Sequence, residues 1–203
     1  MDLTPEEVRV LGALIEKQRT TPDQYPLSLN AIRLACNQST NRDPIVEFDE
    51  ATIREALERL SRRRWTRLAS GAGSRATKYR HLLDEALGLD VAEISVLTVL
   101  MLRGPQTPGE LRARTERLHR FDGSDELRET IERLAARGLV AGIGRRPGQK
   151  EERYAHLLAA DEQEDASASG DATLEERVAR LESEVERLKS AVQAADSAVK
   201  PHA

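Results

Sequence analysis

Residues 48–83 read FDEATIREALERLSRRRWTRLASGAGSRATKYRHLL, and residues 121–158 read FDGSDELRETIERLAARGLVAGIGRRPGQKEERYAHLL. Each opens on Phe-Asp and carries apolar residues four and three apart: Ile53, Leu57, Leu60 in one, Leu127, Ile131, Leu134 in the other. Each then crosses two short alternating segments around a Gly-rich turn, Ser70–Ser74 or Gly144–Gly148. They close alike, on Tyr79-Arg80-His81-Leu82-Leu83 and Tyr154-Ala155-His156-Leu157-Leu158. Apolar spacings of four and three mark one helix face, and alternation around glycines marks a hairpin. A helix feeding a hairpin is the second half of a winged helix, a helix-turn-helix variant. The chain is expected to hold two of them in tandem.

The upstream sequence repeats too. Thr4 as N-cap, Pro5 at the first helical position and Glu7 three residues after the cap predict a helix carrying Val8, Leu11, Leu14 and Ile15 as one stripe. Asp90 caps a second such helix, whose Ile94, Leu97, Leu100 and Met101 each follow their counterparts by 86 positions. Ser28 caps a short helix with Leu29, Ile32 and Ala35 inward, ending near Asn37. Thr107 opens its equivalent, expected to run to about Leu118. By Leu134 the offset has fallen to 74, the missing residues lying in loops.

From Ala159 to Thr173 the chain is Ala, Asp, Glu, Gln, Ser and Gly with little else, a composition that cannot bury a core. Leu174, Val178, Leu181, Val185, Leu188 and Val192 then form a heptad seam with Val at a and Leu at d, the choice that favours a parallel two-stranded coil. Arg177 would face Glu182 of a partner chain, and Glu184 would face Lys189. The expected fold is therefore α+β and mainly helical. Two winged-helix domains, 1–87 and 88–158, precede a flexible acidic linker at 159–173 and a coiled-coil helix at 174–199 that makes a homodimer plausible.

Composition narrows the function classes. The chain has 203 residues, 33% of them charged and 3% aromatic, with a net charge of −4. Residues 1–160 carry 26 Lys and Arg against 24 Asp and Glu, whereas residues 161–203 carry 5 against 11. The folded part is thus near neutral, unlike a strongly basic nucleic-acid binder. A single cysteine, Cys36, excludes an internal disulfide and suggests no zinc site. No apolar run is long enough to span a membrane, so a cytoplasmic protein is expected. No phosphate loop or metal-ligand spacing is present. His81 and His156 recur at matching hairpin ends, which favours packing over catalysis. No enzyme activity, cofactor or metal is expected.

DNA binding is the usual work of this fold, with wing arginines on phosphates. The candidate nucleic-acid-binding residues are Arg62, Arg63, Arg64, Arg67, Arg75 and Lys78 in the first half. Their counterparts in the second are Arg137, Arg145, Arg146, Lys150 and Arg153. The third helices argue the other way. With Ile53, Leu57 and Leu60 inward, Ala51, Glu55, Glu58, Arg59 and Arg62 point outward, as do Asp125, Glu129, Glu132, Arg133 and Ala136 in the repeat. Two glutamates on each presumed recognition face oppose phosphate by charge. Pairs Glu55–Arg59 and Glu58–Arg62 at i, i+4 would stabilise the helix instead, leaving the faces free to bind protein. The polar connection Asn37–Pro44, with Asn37, Gln38, Asn41 and Arg42, has no counterpart in the second half. It reads equally as a recognition element or as a helix cap and turn.

The segments Leu3–Lys17, Tyr25–Ala31, Ala35-Cys36-Asn37-Gln38 and Asn41-Arg42-Asp43-Pro44 resemble the YceH-like family of bacterial proteins, over about residues 3–158. The Cys-Asn-Gln…Asn-Arg-x-Pro run is the most specific part. The resemblance implies two tandem winged helices and carries over no catalytic or ligand-binding residue. The expectation is a non-enzymatic, regulatory, DNA-binding protein acting through basic wings; the alternative is a protein–protein adaptor that uses the winged-helix faces without DNA.

Overall fold

The structure, a computed structural model, describes residues 2–69, 77–145 and 151–159, together with Lys189. The hairpin residues Arg75, Arg146 and Lys150 lie outside that description. So do the expected linker from residue 160 and the heptad seam, Lys189 apart. The chain divides into two compact units, Met1–Ser167 and Ala168–Ala203, and the first contains both sequence repeats.

Reciprocal capping sets the helix starts. The Thr4 hydroxyl accepts from the Glu7 amide at 3.3 Å, while the Glu7 carboxylate accepts from the Thr4 amide at 2.8 Å, opening α1 (Pro5–Thr20). Ser28 caps α2 (Leu29–Cys36) and Asp49 caps α3 (Glu50–Arg62). β1 (Leu27–Ser28), β2 (Thr66–Leu68) and β3 (Lys78–His81) form an antiparallel sheet in the order β1-β3-β2. Tyr79 stands opposite both Leu27 and Leu68. A short α4 (Leu83–Leu87), ended by Gly88 at φ +58°, leads to the second half.

There the order recurs. Asp90 and Glu93 box the start of α5 (Val91–Arg103), and Thr107 and Glu110 that of α6 (Pro108–Thr115). α7 (Ser124–Ala136) feeds β4 (Val140–Gly142) and β5 (Tyr154–His156), paired antiparallel. A single bridge between Gln106 and Tyr154, with backbone bonds of 3.0 and 2.8 Å, stands where the first half has β1. Two boundaries differ from expectation. α6 stops at Thr115, because the amides of Leu118 and His119 both turn back to its carbonyl at 2.7 and 2.8 Å. α7 starts at Ser124 with Gly123 at the cap position, since the Asp122 amide is held by the Glu126 carboxylate at 2.8 Å. The chain is therefore a mixed α and β protein, rich in helix, with small antiparallel sheets.

The apolar spacing in α1 predicts one buried stripe, yet every residue from Glu7 to Ile15 is buried. α5 is likewise buried from Ala92 to Leu102. A helix buried on all sides must have neighbours on all sides: each packs on its own half and on the other. The close approach is made at Gly12, where a Cβ would sit 3.0 Å from the Leu102 side chain and 3.2 Å from Met101 Cβ. One continuous apolar core consequently runs through both halves, from Leu11, Leu14 and Ile53 to Leu97, Leu111 and Leu134. Two backbone ties reinforce it, Asp43 N–H to the Leu102 carbonyl and Leu3 N–H to the Leu158 carbonyl, both 2.9 Å.

Candidate nucleic-acid interface

The amphipathic pattern of α3 turns Ile53, Leu57 and Leu60 into the core and leaves Ala51, Glu55, Glu58 and Arg62 exposed. Glu55 pairs with Arg59 at 3.4 Å as expected. The expected Glu58–Arg62 pair does not form: Arg62 is the last residue of α3 and stays exposed. Arg59 is drawn inward, 3.9 Å from the buried Glu7. Past the helix, the Arg63 guanidinium sits 5.9 Å from the Trp65 ring centroid and donates to the Asp2 carbonyl at 3.1 Å. Arg62, Arg64 and Arg67 are exposed and have no ion-pair partner among the described residues. Lys78 is half-buried in β3, and beside it Arg80 pairs with Glu85 at 2.6 Å. Leu68, on the same hairpin, is 62% exposed.

Arg64 adopts φ +61°, the left-handed conformation that closes the α3 C-terminus, with its amide on the Ser61 carbonyl and that of Trp65 on the Leu60 carbonyl, both 2.9 Å. Gly138 does the same after α7 at φ +66°. Glycine adopts this region freely; an arginine there is strained.

The second half disposes of its arginines differently. Arg133 reaches Glu93 at 3.3 Å and Asp90 at 3.1 Å. Arg137 reaches Glu93 at 3.4 Å and donates to the Gly88 and Leu87 carbonyls. Both are thereby tied to the N-terminal turn of α5. Glu129 and Glu132 remain exposed on α7, as does Arg145 at the hairpin; Arg153 is half-buried.

The polar connection is largely consumed within the fold. Asn37 clamps the Phe48 backbone, its Nδ2 donating to the carbonyl at 2.8 Å and its Oδ1 accepting from the amide at 3.0 Å. Arg42 is buried: it donates to the Ala35 carbonyl at 2.8 and 3.1 Å, to both Glu16 oxygens at 2.6 and 3.1 Å, and to Gln38 Oε1 at 3.1 Å. Asn41 is exposed, and its Oδ1 accepts from Arg103 across the join between halves. Among these four candidates, a macromolecular partner would find Asn41 and part of Gln38.

His81 and His156 are both buried at hairpin ends. The His81 amide donates to the Tyr25 hydroxyl at 2.8 Å, and its ring bonds Gln18. Burial, set against Asp84 at 3.6 Å, lowers its imidazole to about 4. Burial also pushes the Cys36 thiol up to about 12, which keeps it an inert core group. Among the described residues no His, Cys, Asp and Glu side chains cluster at metal-binding distance. No helix among them is long and apolar enough to cross a membrane.

A family described as "Protein of unknown function, DUF480" matches residues 3–149. The chain belongs to that family. Among curated relatives, a UPF0502 protein of Serratia proteamaculans is 44% identical over 88% of this chain and 88% of its own length. UPF0502 protein YceH of Salmonella newport is 45% identical over 84% of this chain and 86% of its own length. A UPF0502 protein of Geotalea daltonii is 51% identical over 83% and 79%. The DUF480 match runs from α1 to β4, within the stretch that shares one core.

Beyond Glu7, marked as a helix-start residue, the sequence motifs did not single out three buried polar residues: Glu93, Arg9 and Gln106. Glu93 carries the same signal as Glu7, three residues after the Asp90 cap. Arg9 was visible as a charge inside an apolar helix, and Gln106 as a polar residue after Gly104-Pro105.

Proposed function

We propose that this is a non-enzymatic tandem winged-helix protein that binds double-stranded DNA through its first half and acts in regulation. The element order of the first half, helix, strand, helix, helix, strand, strand, with the sheet order β1-β3-β2, supports the winged-helix reading. The observation that carries the DNA reading is Arg64. It is an exposed arginine held in a strained conformation where the second half uses Gly138, flanked by the exposed Arg62 and Arg67. Strain kept at such a site points to a role for the side chain itself. The second half, whose Arg133 and Arg137 serve its own packing, acts as a rigid support.

The adaptor reading has its own support in the acidic, exposed Glu55 and Glu58 and in the apolar Leu68 in the same half. One experiment separates the two. Duplex binding is measured against salt for the wild type, for R62Q/R64Q/R67Q and for E55Q/E58Q. The DNA reading requires steep salt dependence, with the slope shallower by about 0.9 for each phosphate that the arginine variant no longer neutralises, and tighter binding in the glutamine variant. No binding at low salt, or a flat slope unchanged in both variants, leaves the adaptor reading.

A further inference from the structure

Between the halves lies a cleft of about 470 Å³, and its walls come from both. α1 supplies Val8 and Arg9, the segment leading into α3 supplies Val46 and Phe48, the end of α5 supplies Arg103, and the turn after it supplies Gln106. Four arginines line it against two carboxylates, Asp43 and Glu110, and Glu110 is already 3.4 Å from Arg114. The size is that of a small-molecule site, and an apolar lining with a few convergent polar groups is the usual construction.

Two buried polar atoms here have no hydrogen-bond partner among the described residues, Arg9 Nε and Gln106 Oε1. Both residues are 4% exposed. Arg9 uses its other nitrogens on the Pro44 carbonyl at 2.7 Å and the Cys36 carbonyl at 3.3 Å. Gln106 spends its Nε2 on the carbonyls of Arg103, Gly104 and Pro105 at 2.9 to 3.3 Å. That triple donation fixes the amide orientation and leaves Oε1 as a buried acceptor without a partner among the described residues. Buried polar atoms in native folds are paired as a rule, and an exception calls for an explanation such as a missing bound group. The guanidiniums are only partly compensated: burial and then Arg42 lower Arg9 against Asp43, and burial and then Arg114 lower Arg103 against Glu16, with Asn41 Oδ1 accepting one Arg103 bond. An anion here would be attracted to both cations and offset the cost of burying them.

We infer that this cleft binds a small organic carboxylate with an apolar body and a hydroxyl or other donor next to the acid group. The carboxylate meets Arg9 and Arg103, the donor meets Gln106 Oε1, and the body lies against Val8, Phe48 and Met101. The inference does not depend on DNA binding.

Met1 and Met101 are the only methionines, so a methyl-labelled sample reports the cleft by one resonance. The probes are 2-hydroxy-3-phenylpropanoate, 2-hydroxy-4-methylpentanoate and their neutral primary amides. The expected result is a saturable Met101 shift with at least one acid at millimolar concentration or below, and binding at least tenfold weaker for its amide. R103Q weakens the acid at least fivefold and leaves the amide unchanged, while V46F, which enlarges a side chain of the lining, abolishes both. An unchanged amide-proton spectrum shows that each variant is folded. No saturable shift with either acid, equal binding of acid and amide, or undiminished acid binding by R103Q overturns the proposal.

Discussion

The Arg133 guanidinium lies 3.3 Å from Glu93, the residue that closes the capping box of α5. Arg59 stands in the same relation to Glu7 at 3.9 Å in the first half. In both repeats an arginine from the presumed recognition helix is therefore turned back onto the first helix. The buried glutamate serves twice, capping a helix start and anchoring the third helix against it.

Replacing Arg133 and Arg137 together by Gln should cost stability, because Glu93 is buried and is left without both cationic partners. Leaving a buried acceptor short of its bonds costs roughly 1–3 kcal/mol. The pairs are part-exposed, which places the outcome toward the lower end. Urea denaturation measures it. Duplex affinity should not change, and a fall matching that of the Arg62, Arg64 and Arg67 variant would assign the second half to the DNA surface as well.

Arg64→Gly should separate stability from binding. Glycine relieves the φ +61° strain, which costs about 1–2 kcal/mol for an L-residue, while loosening the unfolded chain by about 0.5–1 kcal/mol. The net expectation is unchanged or slightly raised stability with weaker duplex binding. Loss of stability, or undiminished binding, would show Arg64 to be merely a tolerated C-cap.

His81 should give the fold an acid-side weakness. Its imidazole titrates near 4 when folded, against 6.5 in an ordinary environment. Between these values the unfolded chain binds more protons, so stability is full above pH 6.5 and falls as pH drops toward 4. The slope is at most about 1.4 kcal/mol per pH unit for one group. The facing groups are Gln18, Tyr25 and Asp84, with the cationic Arg19 and Arg80 opposing protonation. Denaturation of H81Q at several pH values should show a shallower fall over that window; an equal slope would place the effect elsewhere.

Truncation after Ala160 should leave the body folded. It keeps Leu158, whose carbonyl holds the Leu3 amide, and Ala159, which bridges to Leu3. The heptad from Leu174 to Val192 is removed, so sedimentation should shift from dimer toward monomer. Unchanged mass would mean that the seam does not join two chains.

Local signals made much of this molecule legible in its sequence. Helix starts at Thr4, Ser28, Asp49, Asp90 and Thr107 follow from side-chain oxygens meeting unpaired amides, an interaction spanning three residues. The inward faces of α3 and α7 follow from helical period, and the likeness of the halves from counting. Tertiary structure alone decided what those elements face. The burial of α1 on every side arises from Gly12 meeting Leu102 across 90 residues, although the nearly uninterrupted apolar run of α5 hinted at it. Arg42 and Arg62 are the same residue type in comparably polar stretches, yet one is wrapped by Glu16 and the Ala35 carbonyl and the other is exposed. Whether an arginine is spent inside a fold or offered to a partner depends on which distant carbonyls and carboxylates the packing brings within hydrogen-bond reach. No local pattern encodes that, and the same packing creates the cleft between the halves.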